Sequence, residues 1–286
     1  MPALQTPPFE RLAERPPIII VGMHRSGTSL LCRLLGMMSI HLGRDLGENS
    51  ESHHLQGLNK HTLYAVGADW NTPEPVIKAL QEPAFIAAQA AYYRTHVFAG
   101  VGGMRYWGIR WWLALRRGEL LPSWGWKDPR TSLTLPAWLQ LFPHAYVVHI
   151  IRNGIDVAIS LHRRQIAKSK RWRVHPDHQD PRGYDFRFCF SLWETYQTHL
   201  LTYRDTVPAE QYIEFRYEAL LREPEPTLRF MLSRLNVSVE ETRLAAAVAT
   251  INTGRLDNRA YAAAYQDIIP ELLENPLMRA LDYSGQ

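Results

Sequence analysis

Two stretches of the chain are apolar at nearly every position, IIIVG at Ile18–Gly22 and AYVVHII at Ala145–Ile151, and a third, QYIEFRY at Gln211–Tyr217, is more mixed. A strand with one face in water alternates apolar and polar residues, so an unbroken β-branched run belongs to a strand covered on both faces, as in a parallel sheet. Helical patterns adjoin all three. One runs from about Gly27 to Met38, GIDVAISLHRR follows the second strand, and PEPTLRFMLSRL follows the third; TLPAWLQLF precedes the second strand and stops at Pro143. This strand-then-helix rhythm predicts a three-layer α/β fold, P-loop-like, with a central, mostly parallel sheet flanked by helices.

Less regular segments lie between. Residues 1–15 are polar and proline-bearing and read as a loose arm. Residues 44–75 read as a polar loop, a helix and a proline-rich turn. Residues 163–187, with arginines, lysines, prolines and Trp172, read as a basic surface loop. Both segments are expected to form acceptor-side insertions, because loops beside a phosphate-binding turn commonly supply substrate contacts. No internal repeat or linker divides the chain, so residues 1–286 are expected to form one domain.

Composition narrows the picture modestly. With 46% hydrophobic and 21% charged residues, the 286-residue chain can bury a substantial core. Its net charge of +4 favours anionic ligands without requiring nucleic acid. Cys32 and Cys189 sit among core-like neighbours, in no disulfide or metal spacing, which fits a reducing, cytoplasmic compartment. No stretch approaches the roughly 20 apolar residues of a membrane span, and the amino-terminal segment has no apolar signal-peptide core. The twelve histidines form no H-x-x-x-H pair, and no metal site is read from them.

The candidate chemistry begins where the first strand ends. From Gly22 to Gly27 the chain has the frame of a nucleotide-triphosphate loop, but Thr28 stands where that loop places lysine, and Ser29 follows it. Backbone N–H groups of such a loop bind phosphate or sulfate oxygens whatever the side chains. The lysine and an acidic strand end adapt it to a magnesium triphosphate, and here the only cation in the loop is Arg25, while the second strand ends in IIRN. A sulfonate, with one negative charge, can be managed by Arg, Lys and hydroxyl donors without a divalent metal. The loop therefore leans toward sulfuryl rather than phosphoryl transfer.

Three quoted segments carry a family resemblance over roughly residues 18–235. GMHRSGTSLL resembles the 5′-phosphosulfate loop of PAPS-dependent sulfotransferases, in the R-S-G-T form of bacterial members and tyrosylprotein sulfotransferases. IIRNGIDVAISLHRR resembles their 3′-phosphate motif, and GWKDPRTSLTLPAWLQLFPHAYVVHIIRNG the segment with a second catalytic lysine. The resemblance implies PAPS as sulfuryl donor and PAP as product. It places the donor on His24, Arg25, Ser26, Gly27, Thr28 and Ser29 at one phosphate and on Arg152, Ser160 and Arg164 at the other, with Tyr217 near the adenine and Arg255 closing over the nucleotide. Arg25 and Lys127 then stabilise the reacting sulfonate.

An acceptor hydroxyl must lose its proton, and the candidates for the base are Glu48, Glu51, His53 and His54. Glu51 stands eight residues before Asn59, a spacing similar to a helical Glu and Asn of bacterial relatives, although Ser50 replaces the usual aromatic. The expected partners are the nucleotide donor and a hydroxyl-bearing acceptor, a saccharide, glycolipid or other small metabolite, including one at a membrane surface; a homodimer remains open. A kinase-like phosphotransferase lacking its lysine and a non-catalytic polyanion binder are the competing readings.

Overall fold

In the computed structural model the described residues are 15–117, 119, 122–172, 185–256 and 262–283. The amino-terminal arm up to residue 14 lies outside them. Four strands form one sheet: β1 (Ile18–Val21), β2 (Gly125–Lys127), β3 (Tyr146–Ile151) and β4 (Tyr212–Arg216). Their order is β2-β1-β3-β4, and every pairing is parallel, with Ile20 opposite both Lys127 and Val148, and Val148 opposite Ile213.

The helices are α1 (Thr28–Met37), α2 (His53–Tyr64), α3 (Glu74–Ala79), α4 (Pro83–His96), α5 (Gly100–Arg117), α6 (Thr131–Leu141), α7 (Gly154–Trp172), α8 (Phe186–Leu201), α9 (Tyr217–Arg222), α10 (Pro224–Arg234), α11 (Glu241–Ala249), α12 (Ile269–Leu273) and α13 (Pro276–Ala280). Helix α5 is bent at Gly108, whose φ of 72° is left-handed.

Alternation along β1 explains why its run is apolar throughout. Ile19 and Val21 enter one core with Trp126, Trp138, Val147 and Trp193; Ile18 and Ile20 enter the other with Leu31, Leu35, Val148 and Leu228. Both faces are covered, as the unbroken pattern requires. The first core is strongly aromatic, with Tyr93 stacked on Trp138 at 4.1 Å between ring centres.

Two expectations from the sequence need correction. Strand β2 lies in GWK, three residues with no β-branched run to announce it; its register against β1 comes from tertiary pairing. The basic segment 163–187 is not a loop throughout, because α7 continues to Trp172. No proline or glycine interrupts RRQIAKSKRW, and its residues include good helix formers, so nothing ends the helix there. Residues 173–184 lie outside the described residues, as does the side chain of Trp172.

Helix α2 is tied to the end of β2 by Asn59, which is fully buried. Its Nδ2 donates to Asp128 Oδ2 at 2.9 Å and to Thr131 Oγ1 at 2.8 Å. Its Oδ1 accepts from Thr134 Oγ1 and Trp138 Nε1, each at 2.8 Å. The amide thus uses all four of its hydrogen-bonding positions inside the protein. Replacing Asn59 by Leu leaves a buried carboxylate and an indole N–H without this partner. Its expected cost is about 3 kcal/mol or more in urea denaturation; a loss under about 1 kcal/mol would show that these bonds are replaceable.

Candidate active site

All four strands end at one crevice. Gly27, Lys127, Arg152 and Tyr217, each from the segment following or ending a different strand, contribute to its lining. In open parallel sheets this is where ligands bind, at the carboxyl edge where neighbouring connections diverge.

The first wall is the turn from Gly22 to Gly27. Left-handed backbone at Arg25 (φ 75°) and Gly27 (φ 98°) curls the chain into α1, and Ser26 N–H closes the turn on Met23 O at 3.1 Å. No side chain among the described residues caps α1; the Leu30 N–H is taken by Gly27 O at 2.9 Å, which leaves those of Thr28 and Ser29 at the helix start for an anion. Gly27 is required by packing as well as by φ, since a Cβ there would lie 2.2 Å from Cδ2 of Tyr217. Gly22 N–H is bound by Ser132 Oγ at 2.9 Å, fixing the base of the turn to α6.

The second wall follows β3. Arg152 is 9% exposed, and three contacts hold it: Nη1 donates to the Arg25 carbonyl at 3.0 Å, Nη2 lies 3.5 Å from Asp156, and the guanidinium sits 4.6 Å over the Tyr217 ring. Its Nε is buried with no hydrogen-bond partner among the described residues. The backbone just beyond is clamped, Asn153 N–H donating to Glu218 Oε1 at 3.0 Å and Tyr283 OH to Glu218 Oε2 at 2.9 Å. Ser160 Oγ accepts from Arg25 Nε at 2.9 Å. Arg164, one turn further along α7, also lines the crevice. The two motifs predicted from sequence therefore touch each other.

The third wall is the strap from Glu48 to Glu51. Ser29 Oγ donates to Asn49 O at 2.7 Å and Lys127 Nζ donates to the same carbonyl at 2.5 Å. Lys127, 1% exposed, also donates to Glu51 Oε1 at 2.9 Å, and Gln56 Nε2 donates to Glu51 Oε2 at 2.8 Å. Arg130 approaches Glu51 at 3.6 Å and pairs with Asp128 at 2.8 Å. Lys127 thus pairs with Glu51, whereas Asp128 serves Arg130 and Asn59. Among the described residues, Arg25, Arg33, Lys127, Arg152 and Arg164 face Glu48 and Glu51 as the acidic lining, which leaves the crevice basic.

The predicted residues distribute unevenly. Glu51 lines the crevice but precedes α2, whose cap is Ser52, so it is not the helical residue that the Asn59 spacing suggested. His53 is exposed, and His54 turns away, its Nε2 bonded to the carbonyls of His96 at 3.2 Å and Val97 at 3.1 Å; neither lines the crevice. Ser26 is fully buried behind the turn, its hydroxyl without a hydrogen-bond partner among the described residues, and Thr28 is buried at its edge. Arg255 falls on a 3₁₀ turn, Thr253–Leu256, with its side chain outside the described residues.

Sequence reasoning missed Arg33 and Arg130. Arg33 lies four residues after Ser29 on one helix face, a spacing that signals it. Arg130 carries no such signal, since its direction depends on the turn after β2. His24 is 8% exposed at the crevice, with the Trp70 ring edge-on at 5.0 Å and that of Tyr196 at 6.4 Å. Burial, then the charges of Arg130, Arg164, Lys127 and Arg25, hold its pKa well below the ordinary histidine value, so the imidazole is neutral.

A four-stranded parallel sheet with a basic crevice at its carboxyl edge defines the class: an α/β protein with a modified phosphate loop. Within that class, residues 16–241 match the model of the Sulfotransferase family, and the chain belongs to that family. A search of curated protein sequences returns no match.

Solved structures with a similar fold include the sulfotransferase domain from the curacin biosynthetic pathway, at 18% identity, TM-score 0.47, covering 80% of this chain and 76% of that one. Sulfotransferase STF9 from Mycobacterium avium aligns at 17% identity, TM-score 0.48, over 88% of this chain and 76% of its own. A sulfotransferase from Alicyclobacillus acidocaldarius aligns at 18% identity, TM-score 0.45, over 86% and 98% respectively.

The Gly27–Tyr217 contact yields a direct check. Gly27→Ala is expected to push Tyr217 aside and strain the turn, lowering the thermal midpoint of the free protein by several degrees. Differential scanning calorimetry of the variant reads the loss. An unchanged midpoint would mean that neither the close approach nor the positive φ constrains the turn.

Proposed function

We propose that the crevice holds PAPS and that the protein transfers its sulfuryl group to a hydroxyl or amine acceptor, without a metal, on one domain. The observation that supports this reading is the join between the motifs, Arg25 Nε to Ser160 Oγ at 2.9 Å and Arg152 Nη1 to Arg25 O at 3.0 Å, which brings the two arginine-bearing segments into one crevice. A nucleotide with a 5′-phosphosulfate and a separate 3′-phosphate has this charge pattern. The 5′ end would sit on the N–H groups of the turn and α1, with Thr28 and Ser29 at its edge, and the 3′-phosphate on Arg152, Ser160 and Arg164, with Tyr217 against the base.

In the transfer, an acceptor oxygen forms a bond to sulfur as the bond from sulfur to the 5′-phosphate oxygen breaks, and PAP leaves. Charge grows on that bridging oxygen, and Arg25 and Lys127 are the cations placed to meet it. Arginine keeps its proton at any working pH, so Arg25 would act by charge and hydrogen bonding. Glu51 would hold Lys127 in place until the sulfonate takes over its ammonium. A saccharide, glycolipid or other small hydroxyl-bearing metabolite fits the polar lining. A kinase-like reaction is disfavoured by Thr28 in the lysine position and by a β3 that ends in Arg152 and Asn153.

The test is release of PAP from PAPS, followed by chromatography with water and a panel of sugars and phenols as acceptors. Turnover should survive EDTA, and Arg25→Ala and Lys127→Met should each lower it on the order of 10²-fold while PAP still binds. Turnover abolished by EDTA and restored by Mg²⁺ would overturn the metal-free reading.

A further inference from the structure

The residues that sequence reasoning offered as proton acceptor are poorly placed to serve. His53 and His54 do not line the crevice, and Glu51 is committed to Lys127 at 2.9 Å and to Gln56 at 2.8 Å, with Arg130 close by. Both carboxylate oxygens of Glu51 are thus already engaged by donors of the protein. His24 differs. It lines the crevice, is nine-tenths buried, and its Nε2 has no hydrogen-bond partner among the described residues. A buried ring nitrogen left unpaired is costly, so its persistence beside the basic crevice points to a partner that arrives with the reactants.

On the sulfuryl-transfer reading, we propose that His24 is the general base, its Nε2 taking the proton that the acceptor hydroxyl loses as that oxygen bonds to sulfur. The balance is complete: the S–O bond to the 5′-phosphate breaks, PAP departs as the anion, and the proton resides on the imidazole until solvent removes it. The rings of Trp70 and Tyr196 pack edge-on against the imidazole and hold it at the crevice wall.

Charge gives this base a switch. The charged groups acting on His24 are Arg25 of its own turn, Lys127 of β2, Arg130 of the turn before α6 and Arg164 of α7, and Tyr196 faces it from α8. All four cations oppose protonation of the ring in the empty protein. The donor brings the opposite charges to the same cations, so its binding relieves that opposition and raises the proton affinity of His24. An unliganded protein then keeps a neutral, weak base, and a donor-loaded one has a stronger base facing the acceptor.

The test uses PAPS with water as acceptor, PAP and sulfate being the products, together with PAP binding by calorimetry. His24→Ala and His24→Gln are expected to lower PAP release on the order of 10²-fold, to leave PAP affinity within about threefold, and, for His24→Ala alone, to regain activity with added imidazole. Release within a few-fold of the unaltered protein, or loss without imidazole rescue while Glu51→Gln is equally inactive, overturns the assignment in favour of Glu51. Failure of PAP to bind the unaltered protein overturns the donor reading instead.

A second arm needs neither a variant nor turnover. In NMR of the unaltered protein the His24 ring should titrate at higher pH with PAP bound than without it. A titration that PAP leaves unmoved, or an Nε2 that carries the proton in the neutral PAP complex, rejects the proposal even if water proves too poor an acceptor to follow.

Discussion

The join between Arg25 and the start of α7 is the constraint on which the crevice depends. Arg25 adopts a left-handed backbone, a conformation unfavourable for a residue with a Cβ, and two bonds from the β3 side hold it there: Arg152 binds its carbonyl and Ser160 its Nε. Neither phosphate motif is therefore an independent loop. Displacement of Arg152 would release the carbonyl of Arg25, and with it the direction of the turn that presents N–H groups to the crevice. Tyr217 extends the same coupling to β4, because its ring packs against Gly27 on one side and under Arg152 on the other.

Behind this join the two cores make the crevice rigid. Strand β1 is locked by side chains of alternate residues into opposite layers, so the turn at its end cannot tilt without disturbing both. The strap from Glu48 to Glu51 has less apolar burial and is held by polar contacts instead: Ser29 and Lys127 on Asn49 O, and Lys127 on Glu51. These contacts are the ones an incoming anion competes for. A sulfonate near Lys127 would exchange one carboxylate partner for another anion, at small net cost in desolvation because the ammonium is already buried.

The fold was largely legible because β1 and β3 are apolar for a physical reason, coverage on two faces, which leaves a direct trace in sequence. The two anion motifs were legible for a similar reason: a turn that needs glycine at φ 98° and an arginine at a strand end are local requirements. Strand β2 left no such trace, being three residues held by pairing alone. The partners of Lys127, Arg130 and His24 were also hidden, since they depend on which way the 48–51 strap and the 128–130 turn cross the sheet edge. In the basic segment 163–172, charge suggested a solvated loop where backbone propensity, unbroken by proline or glycine, carried α7 onward. Composition pointed to an anionic partner and the resemblance put Arg164 in the same site as Arg25, but only the geometry brings Arg33 to that cavity.

If the join makes the two motifs a single site, a nucleotide that engages both should bind far better than one that reaches only the phosphate turn. Calorimetry of PAP, adenosine 5′-phosphate and ADP, in EDTA and then in Mg²⁺, measures this directly. One PAP should bind per chain at least about tenfold more tightly than either of the others, the gain expected from one added charge-assisted contact of about 1.5–3 kcal/mol, and metal should add nothing. ADP binding as tightly as PAP, or binding only with Mg²⁺, would contradict the coupling of Arg25, Arg152 and Ser160 into one donor site.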